Sequence, residues 1–315
     1  MTTIARRTLL AAALATGVAG SAAAADWPTK PVRLVVPFPA GGSTDVVGRI
    51  VAAKLSDRLG QQVVVDNRGG ASGTIGSEAV ARSPADGYTL VLSNIGSQGI
   101  GPALFSSVKY DTVKDFAHVG MIGTFTNVLI VHPSLPAKTL GDFVAAARRE
   151  PAKIHFATSG NGSSNHLLGE MLKLAAGVDI VHIPYRGAGP ALNDLIANQI
   201  PAMFDSLPSA AGHVKAGSAR ALAVASAARL EAMPDVPTFA ESGYPGLVID
   251  NWFGLSGPTG MPAEAIERLS RELRAILDDK DTRQRLLDLG LDARWMAPAP
   301  FAAFIAADLD KWKDV

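Results

Sequence analysis

Short apolar runs alternate along the chain with longer stretches in which apolar residues return every three to four positions. The runs at 33–36, 62–66, 88–93 and 119–123 are branched, apolar and bounded by glycine, proline or asparagine, which predicts buried strands. Between the first two, Val47, Val51, Leu55 and Leu59 stand four apart with Gly60 behind them as a stop, which predicts an amphipathic helix over 43–59. A second series follows: runs at 127–133, 153–159, 179–185, 202–206 and 220–226 alternate with helical stretches such as 167–176. This alternation predicts an α/β fold of parallel βαβ units with helices on both faces of a sheet. The amphipathic stretches over 262–277 and 282–289 come after the last predicted strand. They are therefore expected to pack back onto the first sheet, giving a discontinuous first domain, 26–125 plus 252–315, around a second, 126–251.

Composition narrows the class. The 315 residues are 48% hydrophobic and only 18% charged, enough for two cores, and the 31 glycines and 20 prolines are spread as turn punctuation. Residues 1–25 read separately: Arg6 and Arg7, an apolar stretch from Leu9 to Ala19, and Ala23-Ala24-Ala25 before Asp26 form an export signal with an A-x-A cleavage site. The paired arginines leave both Sec and Tat routes open. Without them, 29 basic residues become 27 against 29 acidic ones, a formal charge of −2, and no basic stripe suits nucleic acid. The absence of cysteine excludes disulfides, thiolate metal sites and a lipid-modified cysteine. The expected product is a periplasmic protein that is not lipid-anchored.

The chemistry is concentrated in three glycine turns. "PFPAGGSTD" (37–45), "DNRGGASGTIGSE" (66–78) and "ATSGNGSSNHLLGEMLK" (157–173) each place glycines between a strand and a helix, where backbone N–H groups and the positive helix end can face an anion. Ser43 or Thr44 is expected to cap the first helix. A Walker A loop is excluded, because no Gly-Lys pair occurs, and a dinucleotide fingerprint lacks its third glycine. Turns from two facing sheets would line one cleft, with Thr158, Ser159, Ser163 and Ser164 offering hydroxyls; for each serine alone, capping is the competing role.

Together with "HIPYRGAGPALNDL" (182–195), "FDS" (204–206) and "RALAVASAARLEAMPDVPTFAESG" (220–243), these segments resemble, in order along the whole mature chain, the Bug-type periplasmic receptors of tripartite tricarboxylate transporters. The resemblance implies a two-lobed type II periplasmic-binding-protein-like fold with a ligand cleft between the lobes, no catalysis and no cofactor or metal. It implies a small organic acid or amino acid as ligand, the integral membrane permease subunits of a tripartite transporter as partner, and a monomer. Carried onto this chain, one ligand carboxylate is held by Ala40, Gly41, Gly42, Ser43, Thr44 and Asp45, with Phe38 beside them, and by Thr158, Ser159, Gly162 and Ser163. Ser93, Asn94 and Asp205 then distinguish substrates. Asp205 has a second reading, as a cap for N–H groups near Leu207 or Ser209 that holds its own loop.

Two readings from other classes compete with a transport receptor. A secreted hydrolase needs a G-x-S-x-G elbow or an H-E-x-x-H zinc motif, and neither occurs. Of six histidines, His166 has the best position for a functional role, against packing or capping; Arg186 either reaches the cleft rim or is a solvated loop charge. A periplasmic sensor using the same cleft is not separated from a transport receptor by sequence.

Overall fold

The computed structural model describes residues 27–313; the export signal read over 1–25 lies outside the described residues. The chain runs β1 (Val32–Val36), α1 (Ser43–Leu59), β2 (Val63–Asn67), α2 (Thr74–Ala81), β3 (Thr89–Asn94), α3 (Gly101–Leu104), β4 (Phe116–Val131), α4 (Leu140–Arg149), β5 (His155–Thr158) and α5 (Ser164–Ala176). It continues with β6 (Val181–Pro184), α6 (Ala188–Ile196), β7 (Ala202–Ser206), α7 (Leu207–Lys215), β8 (Arg220–Val224), β9 (Asp250–Pro258), α8 (Ala263–Asp278), α9 (Lys280–Asp288), β10 (Leu291–Met296) and α10 (Pro298–Lys313).

Two sheets share one strand. The first has the order β2-β1-β3-β9-β4-β10, the second β8-β4-β7-β5-β6. The sheets are mixed: the expected parallel βαβ pairings hold for β1 with β2 and β3 and for β5 with β6 and β7, while β9 is antiparallel to β3 and β4, and β7, β8 and β10 are antiparallel to β4. The separate strands expected at 119–123 and 127–133 are one 16-residue strand, β4. It pairs with β9 as far as Thr126 and with β7 from Asn127 onward, so the chain passes from one lobe to the other inside a single strand. A strand also follows the late helices, where none was expected: β10, on the outer side of β4.

The helix expectations rest on burial. Val47, Val51 and Leu55 of α1 are fully buried and Gly60 ends the helix in the left-handed region, so the i, i+4 face is the core face. That face meets Leu34, Leu92 and Leu255 of the first sheet and Leu269, Leu273 and Leu277 of α8 in one cluster. At about 1.5–3 kcal/mol for each large side chain removed from water, this packing holds the returning C-terminal helices on the first lobe. In the second lobe, Phe156, Phe204 and Leu168 fill one side of the sheet, and Met203, Leu195 and Leu207 the other. Among the described residues no helix is long and apolar enough to cross a membrane.

Candidate functional site

Four helices present their amino ends to one cavity between the lobes. Gly42, Ser43 and Thr44 bring the start of α1, Ser163 and Ser164 that of α5, Ala188 that of α6, and Ser206 that of α7. Phe38, Phe125, Phe253 and Ile95 supply apolar wall, while Asn94, Gly96, Ser159 and Asn251 complete the lining. No charged side chain is among these lining residues. The cavity offers about 50 Å³, several times the roughly 10–15 Å³ that one water needs.

The helix ends are mostly uncapped. Contrary to the expected serine or threonine cap, the N-cap of α1 is Gly42, and no side chain accepts from its first turn. The N-caps of α6 and α7, Gly187 and Ser206, likewise make no side-chain cap. Only α5 is capped, by Ser163, which accepts from the His166 N–H at 3.3 Å. First-turn N–H groups have no acceptor within their own helix, so three of the four ends leave donors to whatever fills the cavity. Each end also carries about half a positive charge, which favours an anion there. Ser163 donates to the Gly160 carbonyl at 2.6 Å and to Asn165 Oδ1, and so serves first as a cap. Ser163→Ala is expected to cost about 1 kcal/mol of stability, measured by urea denaturation.

Closure is backbone against backbone. Across the rim, Ala40, Gly41 and Gly42 of the first lobe meet Ala188 and Gly189 of the second, so tightly that a Cβ on Gly189 would stand 2.3 Å from the Ala40 carbonyl oxygen. Ser72 Oγ donates to the Asn161 carbonyl at 2.5 Å, and the hydroxyls of Ser43 and Ser209 meet at 3.1 Å. At the crossing, Asn251 Nδ2 donates to Asn127 Oδ1 at 3.1 Å, joining the two strands that link the lobes. Asn251 Oδ1 is buried without a partner in the protein.

Of the residues expected in the site, Phe38, Gly42, Ser43, Thr44, Asn94, Ser159 and Ser163 line the cavity. The others stand around it. Ala40 and Gly41 form the lobe contact and a separate outer recess. Asp45 accepts from Gly41 N–H at 3.0 Å, Asn67 Nδ2 at 2.9 Å and Arg49 Nε at 3.0 Å; burial alone would raise its pKa, but these bonds and the Arg49 charge hold it below the usual value. It braces the glycine turn. Ser93 donates to Ser256 Oγ at 2.7 Å, which in turn meets His118 Nδ1 at 2.8 Å. Burial holds His118 neutral, with a pKa pushed down to about 4. Thr158 Oγ1 bonds His182 Nε2 at 2.6 Å and accepts from Gly160 N–H, and Gly162 is pressed against Phe105.

Asp205 lies behind the wall. Its side chain is fully buried, Oδ2 accepts from Ser209 Oγ at 2.8 Å, and Oδ1 has no partner in the protein. Burial pushes its carboxyl up to about 7, with the bonds from Ser209 and the Ser206 N–H offsetting part of the rise. His166 stacks on His182 at 4.2 Å and accepts from Gly162 N–H at 3.2 Å, a packing role. Arg186 lines an outer recess of about 730 Å³ rather than the inner cavity.

Sequence reasoning missed Ile95, Gly96, Phe125, Ala188, Ser206, Asn251 and Phe253. Ser206 closes the quoted "FDS" and Ala188 sits in "YRGAG", so both were within motifs already noticed. Asn251 and Phe253 lie on β9, which had no strand-like pattern.

The family model described as "Tripartite tricarboxylate transporter family receptor" matches residues 47–315. Protein BugT of Bordetella pertussis (strain Tohama I) is 38% identical over 300 residues, covering 95% of this chain and 92% of its own. A solved R. palustris protein with adipate is 36% identical with a TM-score of 0.88, covering 92% of this chain and 97% of that one. MatC from Rhodopseudomonas palustris with bound malate is 32% identical with a TM-score of 0.85, covering 91% and 99%. The fold is that of periplasmic binding proteins, and the chain belongs to the tripartite tricarboxylate transporter receptor family.

Proposed function

We propose that the protein is an extracytoplasmic receptor that closes two lobes, residues 26–125 with 252–315 and residues 126–251, on a small organic carboxylate and delivers it to the membrane permease of a tripartite transporter. The observation that carries this reading is the cavity itself: four helix amino ends, three of them without a side-chain cap, converge on a space with no charged lining residue. That arrangement supplies donors and positive potential and asks the ligand for the negative charge. The related structures with adipate and malate support the same ligand class. The export signal read over 1–25 supports a periplasmic location.

The interactions suffice in magnitude. Micromolar binding needs about −8 kcal/mol. Three or four hydrogen bonds to a charged group, at roughly 1.5–3 kcal/mol each, reach that figure after ordering costs. A panel of organic acids that includes malate and adipate is therefore expected to raise the melting temperature, with each acid recovered unchanged by NMR after incubation. Stabilisation by nucleotides but by no carboxylate would overturn the anion assignment. Turnover that copurifies with the protein would overturn the receptor assignment.

A further inference from the structure

A chain of hydroxyls joins the cavity to the buried carboxyl of Asp205 behind it. Ser43 lines the cavity from the first lobe, its Oγ lies 3.1 Å from Ser209 Oγ of the second, and Ser209 Oγ lies 2.8 Å from Asp205 Oδ2 and 2.8 Å from the Ser206 carbonyl oxygen. Ser209 has one proton for two acceptors. When Asp205 is ionised the charged oxygen takes that proton, because a charge-assisted bond is about twice as strong as a neutral one. Ser43 is then drawn to donate to Ser209, and its lone pairs face the cavity. When Asp205 is protonated on Oδ2, its O–H donates to Ser209 Oγ, the Ser209 proton turns to the Ser206 carbonyl, and Ser209 Oγ, already accepting, becomes the weaker acceptor for Ser43. Ser43 is then more readily drawn by an anion in the cavity than when Asp205 is ionised.

We propose that Asp205 is a positioning residue for anion binding: it takes up a proton as a carboxylate enters, which turns the Ser43 hydroxyl from Ser209 toward the ligand. The inference rests on the carboxylate-receptor reading above. An ionised Asp205 would also set a second buried anion behind the hydroxyls, with Oδ1 unpartnered, and like charges at close range drive one of the pair to neutralise.

No neighbouring charge competes for this role. The carboxyl of Asp194 on α6 is bonded by Tyr185, Asp45 on α1 is held by Arg49, and on α7 Lys215 reaches the Asp288 carbonyl while His213 meets Ser218. On α5, Glu170 pairs with Lys173 and His166 stacks on His182; His155 lies exposed at the start of β5, and His118 at the far end of β4 is bonded to Ser256. The shift at Asp205 has burial as its first cause, reduced by the Ser209 and Ser206 bonds, and owes nothing to a charged partner.

Calorimetric titration of the whole mature protein with malate and with adipate, in two buffers of different ionisation enthalpy, counts the protons. At about pH 8.5 roughly one proton is expected to be taken up per ligand, at about pH 5.5 none, and Kd is expected to rise about tenfold per pH unit above the Asp205 midpoint. Asp205→Asn, which keeps an N–H donor and an oxygen acceptor, is expected to bind without uptake and with a flat pH profile. Ser209→Ala, which cuts the chain while keeping the Asp205 carboxyl itself, is expected to flatten the profile in part, and it serves if the asparagine variant fails to fold. Binding at pH 8.5 with no proton uptake in the wild type, or with equal uptake in Asp205→Asn, overturns the proposal. A carbon-13 titration of the carboxyl in ligand-free protein gives an arm that needs no ligand: a midpoint near 4 overturns the proposal even if both acids bind. If neither acid binds while the midpoint lies near 7, the failure belongs to the receptor reading and the proton-linked role falls with it.

Discussion

Gly189→Ala is expected to lower ligand affinity by about 5- to 150-fold while leaving the ligand-free protein as stable as before. Alanine suits a helix better than glycine, and Gly189 lies in the first turn of α6, so the second lobe alone gives no reason for harm. The obstruction comes from the other lobe. A Cβ there would stand 2.3 Å from the Ala40 carbonyl oxygen, a backbone atom that cannot move aside without moving the whole glycine turn. Overpacking of this kind costs about 1–3 kcal/mol, and it falls on the closed state only, because separation of the lobes relieves it. Gly212→Ala is the control: it lies in α7, where a Cβ meets nothing within 4 Å. Titration calorimetry of both variants, with melting curves of the ligand-free proteins, measures the effect. Equal affinity for Gly189→Ala and wild type would show that the rim contact is not part of the bound state.

Asp205→Asn is expected to stabilise the ligand-free protein at pH 8 and to do little at pH 4. In the folded protein burial, partly offset by Ser209 and Ser206, raises this carboxyl from 3.8 to about 7, whereas the unfolded chain keeps the ordinary value. The folded state therefore binds more protons between those limits. Its stability advantage is complete below about pH 4 and is lost as pH rises toward 7. The rise from 3.8 to about 7 corresponds to about 4 kcal/mol, the upper limit of what removing the charge restores at pH 8. Burial opposes the charged forms of His118 and His182, each pushed to about 4, with His166 adding to the shift of His182, so these groups withdraw stability as pH falls below about 6.5. Chemical denaturation from pH 4 to 9 on both proteins checks this. A constant difference between them across that range would mean that Asp205 is ionised throughout.

Much of this was legible in the chain, for identifiable reasons. The face of α1 reads directly because Val47, Val51 and Leu55 are all fully buried, so period and burial agree. The glycine turns at 40–42 and 160–162 read as backbone that must approach something closely, and they do meet the opposite lobe or its helix ends. What did not read was β9, a strand carrying Gly254 and Gly257. Strand propensity argues against both, yet a Cβ at Gly254 would lie 2.1 Å from the Phe301 ring, and one at Gly257 would lie 2.1 Å from Met261 Sδ. Phe301, far along the chain, imposes Gly254, so no strand-like pattern announces β9, and Asn251 and Phe253 went unseen with it. Ser93 and Asp45 failed as lining residues for a related reason. Their side chains are spent on Ser256 and on Asn67, which only the folded chain brings near, and for Asp45 also on Arg49 one helical turn away.

The uncapped helix ends also bear on how such a receptor changes its ligand over evolutionary time. A hold on an anion made from main-chain donors is present whatever side chains occupy the turn, provided that the turn keeps its path. On the proposed carboxylate reading, point mutation can exchange the lining at Asn94, Phe125, Asn251 or Phe253 and alter which acid fits, while the hold on a carboxylate as such survives each step. An arginine clamp would offer no such insurance, since one codon removes it. The scaffold can drift between substrates through functional intermediates rather than through a non-binding one.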